Sequence, residues 1–181
     1  APDESGRCDA CGVDTGADLG GRSWPDGRLM CSACLEDAIG TIVDARALLR
    51  EVRAELSDLL SVDVGSVRIG LSLTDRPTLS KLAGEDLAHP DLRAFTEVIE
   101  VLHRGRVESR KFTIHALLGL PRQCLFGILA HEAFHVWQIQ NGGIRLSADP
   151  AFREGAAQYA QHRLLSLRRQ DSWAKLLIEN P

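Results

Sequence analysis

Apolar residues recur at helical spacing from Ser32 to about Leu60, where Leu35, Ala38, Ile39, Ile42, Val43, Leu48, Leu49, Val52, Leu56 and Leu59 are separated mainly by polar residues. That period predicts one long amphipathic helix. The pattern then changes to a period of two: Val67, Ile69, Leu71 and Leu73 alternate with Arg68, Gly70, Ser72 and Thr74, which predicts a half-buried strand. Residues 75–94 contain Pro77, Gly84 and Pro90 and read as a loop with a short turn of helix. Segments 96–103 and 107–118 flank Arg104-Gly105-Arg106, and the alternation of Phe112, Ile114, Ala116 and Leu118 with Thr113, His115 and Leu117 predicts a β-hairpin. Pro121 suits a first helical position, and the spacing predicts a helix over 122–140 ended by Asn141-Gly142-Gly143. Asp149-Pro150 reads as an N-cap with a first-turn proline, opening a helix over about 150–169 that continues or restarts over 171–178.

With 181 residues, 44% hydrophobic and 25% charged, the chain is long enough for one main core and a small appendage. The expected class is α+β, with a short, mostly antiparallel sheet packed against helices. Residues 1–35 are rich in Gly, Asp and Cys and poor in large apolar groups, so they need a staple to fold. This divides the chain into a cysteine knuckle over 1–35, a linking helix over 36–60 and a main domain over 61–181. The net charge of −4 offers no basic field for phosphates, so no nucleic-acid partner is expected. No run approaches the roughly 18 apolar residues of a membrane span, and no membrane partner is expected either. Arginine outnumbers lysine 18 to 3, a bias that a GC-rich bacterial genome produces. The absence of an initiating Met and the end at Pro181 suggest a fragment or processed chain.

The chemistry concentrates in the helix predicted over 122–140, which contains His131-Glu132-Ala133-Phe134-His135. Two histidines four apart lie on one helical face, so their imidazoles can grip one metal ion while Glu132 reaches the water that such a metal activates. A third protein ligand must come from elsewhere, with one position left open for water and substrate. In metzincins it is a histidine six residues beyond the second, preceded by a glycine, but Asn141 and Gln138 occupy those places. That class is excluded. Glu154, on the next helix, has the spacing of a gluzincin ligand brought back antiparallel to the metal. Gln158, one turn on, is placed to hold a ligand imidazole by a hydrogen bond. Gly155, Ala156 and Ala157 are small enough to let the two helices press together. Zinc chemistry of this kind hydrolyses peptide bonds with Glu132 as general base. Tyr159, His162 and His115 are the candidates for stabilising the oxyanion. Strand 107–118, running into the metal helix, is a candidate for holding an extended peptide by β-augmentation, which favours an endopeptidase.

Cys8-x-x-Cys11 and Cys31-x-x-Cys34 enclose 19 residues, close to the spacing of one tetrahedral four-thiolate zinc site. Placing the second pair at a helix start stabilises thiolate charge, as in treble-clef and LIM-type sites. Two Cys-x-x-Cys pairs with a single further cysteine suit a metal site in a reducing compartment, so a cytoplasmic location is expected. Cys124 reads as a small core residue, and His89 and His103 as ordinary surface or core histidines. The expected cofactors are two zinc ions, one catalytic and one structural.

Taken together, the four-cysteine knuckle, Asp26-Gly27-Arg28-Leu29-Met30-Cys31, Gly119-Leu120-Pro121-Arg122, Ile128-Leu129-Ala130-His131-Glu132, His135-x-Trp137 and Glu154-Gly155 with Gln158 and His162 resemble the LIM-domain peptidases of plant organ-size control, the DA-one family, and their bacterial relatives. The resemblance is strongest over 117–162. It implies a zinc metallopeptidase with His131, His135 and Glu154 as ligands and Glu132 as base, joined to a LIM-like module. The plant members are ubiquitin-activated, which implies an activating protein partner besides a protein or peptide substrate. The chain has four metal-type cysteines rather than a complete two-zinc LIM domain. Two rival readings accompany the peptidase: a zinc-stabilised protein-interaction module with an inactive or partner-dependent site, and an iron or dithiol redox protein built on the cysteines.

Overall fold

The computed structural model describes residues 6–15, 21–84, 89–142 and 149–179. Gly143 of the expected helix stop, residues 85–88 of the expected loop, and residues 1–5 and 16–20 of the cysteine-rich segment lie outside these.

A two-stranded hairpin, β1 (Arg22–Ser23) and β2 (Leu29–Met30), precedes helix α1 (Ser32–Glu36). There follow α2 (Ile42–Leu60), β3 (Ile69–Thr74), α3 (Arg76–Ala83), β4 (Ala94–His103), β5 (Arg106–Leu117), α4 (Arg122–Gln140), α5 (Pro150–Leu167) and α6 (Asp171–Glu179). The class is mixed α and β. Asp149 caps α5 through the amide of Ala151, as Asp-Pro at a helix start predicts. Pro121, in contrast, stands at the N-cap of α4 with extended ψ rather than at the first helical position.

The expected long helix over Ser32–Leu60 is divided in two. Thr41 has extended backbone and its side chain accepts from the amide of Asp44, so a new N-cap interrupts the apolar period. Ahead of it, Ile39 leaves the helix to exchange backbone hydrogen bonds with the chain entering α4: its amide donates to Leu120 O at 2.9 Å, and the Gly119 amide donates to Ile39 O at 3.0 Å. A period that is continuous in sequence thus serves two directions in space. The expected loop over 75–94 also holds more order than a single turn, because Asp75 caps the eight-residue α3 by accepting from Thr78 N.

The sheet runs β3-β5-β4 and is mixed rather than mostly antiparallel. The β4–β5 hairpin is antiparallel and closes through Arg104 and Gly105, at φ 50° and 76°, the doubly positive pair that matches strand twist in tight hairpins. β3 lies parallel to β5 on its other side, from Ile69 opposite Phe112 to Thr74 opposite Leu117. β5 therefore has both edges hydrogen-bonded over Phe112–Leu117. The expectation that strand 107–118 receives an extended peptide fails over Phe112–Leu117, whose backbone donors and acceptors face a strand on each side, whereas residues 106–111 are paired with β4 alone. Among the described residues, the outer edges belong to β3, to β4 and, beyond the reach of β3, to residues 106–111 of β5.

One apolar core joins Leu48, Val52 and Leu56 of α2, Ile114 of β5, Phe126 and Leu129 of α4 and Leu164 of α5. Ala157 and Ala160 are the fully buried small residues of α5, whereas Gly155, expected among them, is exposed. Gly127 supplies the matching small position on α4: a Cβ there would stand 2.8 Å from Leu165 Cδ1 and from Leu177 Cδ1.

The cysteine knuckle has its own small cluster around Cys8, Ala10, Met30, Cys31 and Cys34. It is docked on the main body by polar and aromatic contacts. Arg28, 1% exposed, pairs with Asp26 and donates to Leu118 O at 2.7 Å. Arg76 pairs with Asp9 at 2.9 Å, and Arg93 donates to Asp9 O at 3.2 Å. Trp173 of α6 packs against both clusters. Among the described residues, no helix is long and apolar enough to cross a membrane.

Candidate metal centre

The nearly all-buried stretch of α4 from Cys124 through Ala133 anchors this helix in the core, and the half-buried His131 and His135 share one face towards its C-terminal half. α5 returns against it and presents Glu154. The ligand atoms of these three residues lie within 4.8 Å of one another. His131 Nε2 is 2.9 Å from His135 Nε2 and 2.8 Å from Glu154 Oε1, and His135 Nε2 is 3.3 Å from Glu154 Oε2. Ligands held at about 2.1 Å in a tetrahedron stand about 3.4 Å apart, so the donor set closes around a point at slightly less than that spacing.

His135 is oriented from behind. Its Nδ1 lies 2.9 Å from Gln138 Oε1, and Gln138 Nε2 donates to Arg153 O at 3.0 Å. With the amide nitrogen so engaged, Gln138 presents its oxygen to Nδ1–H, and Nε2 of the neutral ring is left as a lone pair facing His131 and Glu154. Two imidazole nitrogens and a carboxylate converging this way suit a shared cation. The electrostatics agree. Burial works against a charged His135, but Glu154, Glu132 and Gln138 outweigh it and lift its pKa above the ordinary histidine value. Hydrogen bonds to His131 and His135 hold the Glu154 carboxyl well below the usual carboxylate range. The residues present therefore fit a divalent metal of zinc type.

Glu132 is buried, and its Oε2 accepts from Thr96 Oγ1 on β4 at 2.7 Å. Its other oxygen is free of any such bond in the described residues. The centre opens into a cavity of about 520 Å³ between β4, α4 and α5, with Thr96, Ile128, Arg153, Gln161 and Leu177 on its walls.

The other sequence candidates are dispersed. Gln158, half-buried, lies outside the cavity wall, and the residue that holds a ligand imidazole is Gln138. Tyr159 is 65% exposed, and neither it nor His162 lines the cavity. His115 pairs in register with Phe95, one residue from Thr96, so strand alternation puts it on the sheet face opposite the one that meets α4. There it stacks on the Phe95 ring at 4.9 Å. Thr96 and Gln138 were not singled out from sequence. Gln138 carried a usable signal, since it sits three residues after a ligand histidine on the same helical face; Thr96 carried none.

The four cysteine sulfurs form a second cluster, also within 4.8 Å of one another, which is close enough to bind zinc. Cys11 Sγ lies 3.8 Å from Cys31 Sγ, the separation of two thiolates bound at about 2.3 Å in a tetrahedron. The first pair sits in the loop before β1, while Cys31 caps α1 and Cys34 lies within it. Burial opposes ionisation of Cys8, but amide hydrogen bonds led by that of Cys31 overcome it and bring the thiol down to about 7. Burial pushes Cys11 up to about 11 and Cys34 higher still, so a full set of thiolates needs a cation among them. Cys124 is fully buried in the core with its thiol pushed up to about 11.

No family model and no solved structure matches this chain. It is similar to two Arabidopsis thaliana proteins. Identity to Protein DA1-related 1 is 30% over 167 residues, covering 77% of this chain and 30% of that protein. Identity to Protein DA1-related 2 is 27% over 190 residues, covering 90% and 35%. The chain spans about a third of the length of these curated relatives, and its likeness to the DA1-related proteins is that of a distant homologue.

Proposed function

We propose that this chain is a zinc-dependent endopeptidase of the gluzincin type, stabilised by a second, structural zinc in its cysteine knuckle. The observation that carries the reading is the convergence of His131, His135 and Glu154 beside a buried Glu132, on the wall of an open cavity. A zinc ion held by those three residues would supply Lewis acidity and draw the pKa of a water towards roughly 7. The chain's own residues do the rest. Thr96 fixes one carboxylate oxygen of Glu132, so the other is oriented to take the proton of the attacking water and pass it to the leaving amine. Gln138 keeps His135 in the tautomer a ligand requires. The outer edge of β4, whose first residues line the cavity, offers backbone groups to an extended substrate by strand addition. The DA-one resemblance supports the same activity and adds a protein substrate and an activating protein partner to the proposal, and the cysteine usage adds a cytoplasmic setting.

Elemental analysis tests the two sites. The expected result is about two zinc ions per chain in the wild type and about one in His135→Ala. Glu132→Gln is expected to keep both metals and to lose cleavage of a casein or peptide-library substrate. Equal processing by the wild type and Glu132→Gln would remove the enzyme reading and leave a zinc-stabilised interaction module.

A further inference from the structure

Arg153 is placed against the usual electrostatics of a helix. It lies in the first turn of α5, where the positive end of the helix dipole disfavours a cation. Its amide donates to Asp149 O, so it belongs to the helix and is not a frayed end. Among the described residues, no carboxylate pairs with its guanidinium, and its Nε is buried without a hydrogen-bond partner. The neighbouring acids are committed elsewhere: Glu154 to the two histidines, Glu132 to Thr96. Yet Arg153 lines the metal cavity, between Pro150 and Glu154. The second arginine on that wall, Arg93, differs in this respect, because its guanidinium turns away to Asp9 O and the Cys124 sulfur.

A cation at the unfavourable end of a helix, unpaired and partly desolvated, is costly unless a ligand answers it. The rest of the cavity wall adds to this. Ile128, Ile139 and Leu177 are apolar, so a charge-assisted hydrogen bond from Arg153 to a ligand in the cavity is poorly screened by water. We propose that Arg153 is a specificity-determining residue that receives a carboxylate of the substrate beside the metal centre. The inference rests on the peptidase reading and names a substrate class for it: peptides with an acidic side chain close to the scissile bond, or peptides whose C-terminal carboxylate lies there. An arginine matches either through two parallel N–H donors.

The experiment uses the full chain loaded with zinc and a peptide set in which Glu or Asp is exchanged for Gln or Asn at successive positions, each peptide made with a free and an amidated C-terminus. The wild type is expected to favour the carboxylate by roughly 10- to 100-fold in kcat/KM. Arg153→Gln should remove that preference, Arg153→Glu should reverse it towards Lys and Arg, and Arg153→Lys should restore part of it. A preference that follows the side chain and ignores amidation identifies an acidic residue; one that vanishes on amidation identifies the C-terminus. Anisotropy measurements on Glu132→Gln, with and without Arg153→Gln, read the same preference in binding alone, and thermal melting controls for folding. If the wild type cleaves peptides with no carboxylate preference, or if Arg153→Gln keeps the preference, the inference falls and the peptidase reading stands. Should no peptide be cleaved while binding keeps an Arg153-dependent preference, the peptidase reading falls and the carboxylate site stands. Absence of the preference in both assays overturns the inference.

Discussion

Gln138 and Thr96 work one bond behind the chemistry. Gln138 bridges His135 to the backbone of α5, so it couples a ligand ring to the helix that carries Glu154. Gln138→Ala is expected to weaken zinc binding at the histidine site by about 10- to 100-fold without abolishing it, as read by competition with a chromogenic chelator. Thr96→Val keeps shape but leaves the buried Glu132 carboxylate without its donor; zinc content should be unchanged while kcat falls more than KM rises. These two residues mark where sequence reading reaches its limit. The histidine face was legible because four residues along one helix determine it. Thr96 lies 36 residues from Glu132 in sequence, and only strand register brings them together.

Among the elements, α4 is the one around which the others are fitted, and its packing against α5 and α6 depends on a missing side chain. The methyl of Gly127→Ala would crowd two flexible leucine ends, and that of Gly127→Val would crowd them further. The expected cost is about 1–3 kcal/mol, larger for Val, measured by urea unfolding with both metals present. The elements with a single dominant period were legible: the observed bounds of α4, Arg122–Gln140, and of the β4–β5 hairpin follow the alternations seen in the chain. The helix over Ser32–Leu60 was misread because Ala38 and Ile39 are apolar for a different reason. They meet the segment before α4, with Ala38 bridged to Pro121, and do not continue a helical stripe. Periodicity records that a residue is buried but not which neighbour buries it.

At the scale of the molecule, the knuckle and the main body share a polar seam. Asp26 and Arg28 are both almost wholly buried, and Asp26 also accepts from the amide of Arg76. Burial opposes the charge of Asp26, but Arg28 and that amide outweigh it, so its carboxyl lies below the ordinary value of 3.8. A depressed folded-state pKa stabilises the fold above the unfolded value and loses that contribution as pH falls through the folded one. The wild type should therefore lose stability below about pH 4. Asp26→Asn should flatten that acid limb and cost about 3 kcal/mol at neutral pH by stranding Arg28, as read by thermal melting from pH 3 to 8. Gly119 lies in the same seam at φ 79°, and a Cβ there would stand 2.3 Å from the Trp24 ring. Gly119→Ala should lift the knuckle from the body, exposing Trp24 with a red shift in its emission.

The sequence by itself determined what depends on short range. Four residues set the His131–His135 face, two Cys-x-x-Cys pairs set the donors of the knuckle, and alternation set the hairpin, because each follows from the repeat of one local geometry. Only the tertiary structure decided that Gln138 and not Gln158 steadies them, that Thr96 holds Glu132, and that Phe112–Leu117 of β5 are interior while β4 keeps an open edge. Each of those outcomes depends on the relative position of two elements, which is set by how their apolar faces fill a common core and is not encoded in the period of either one.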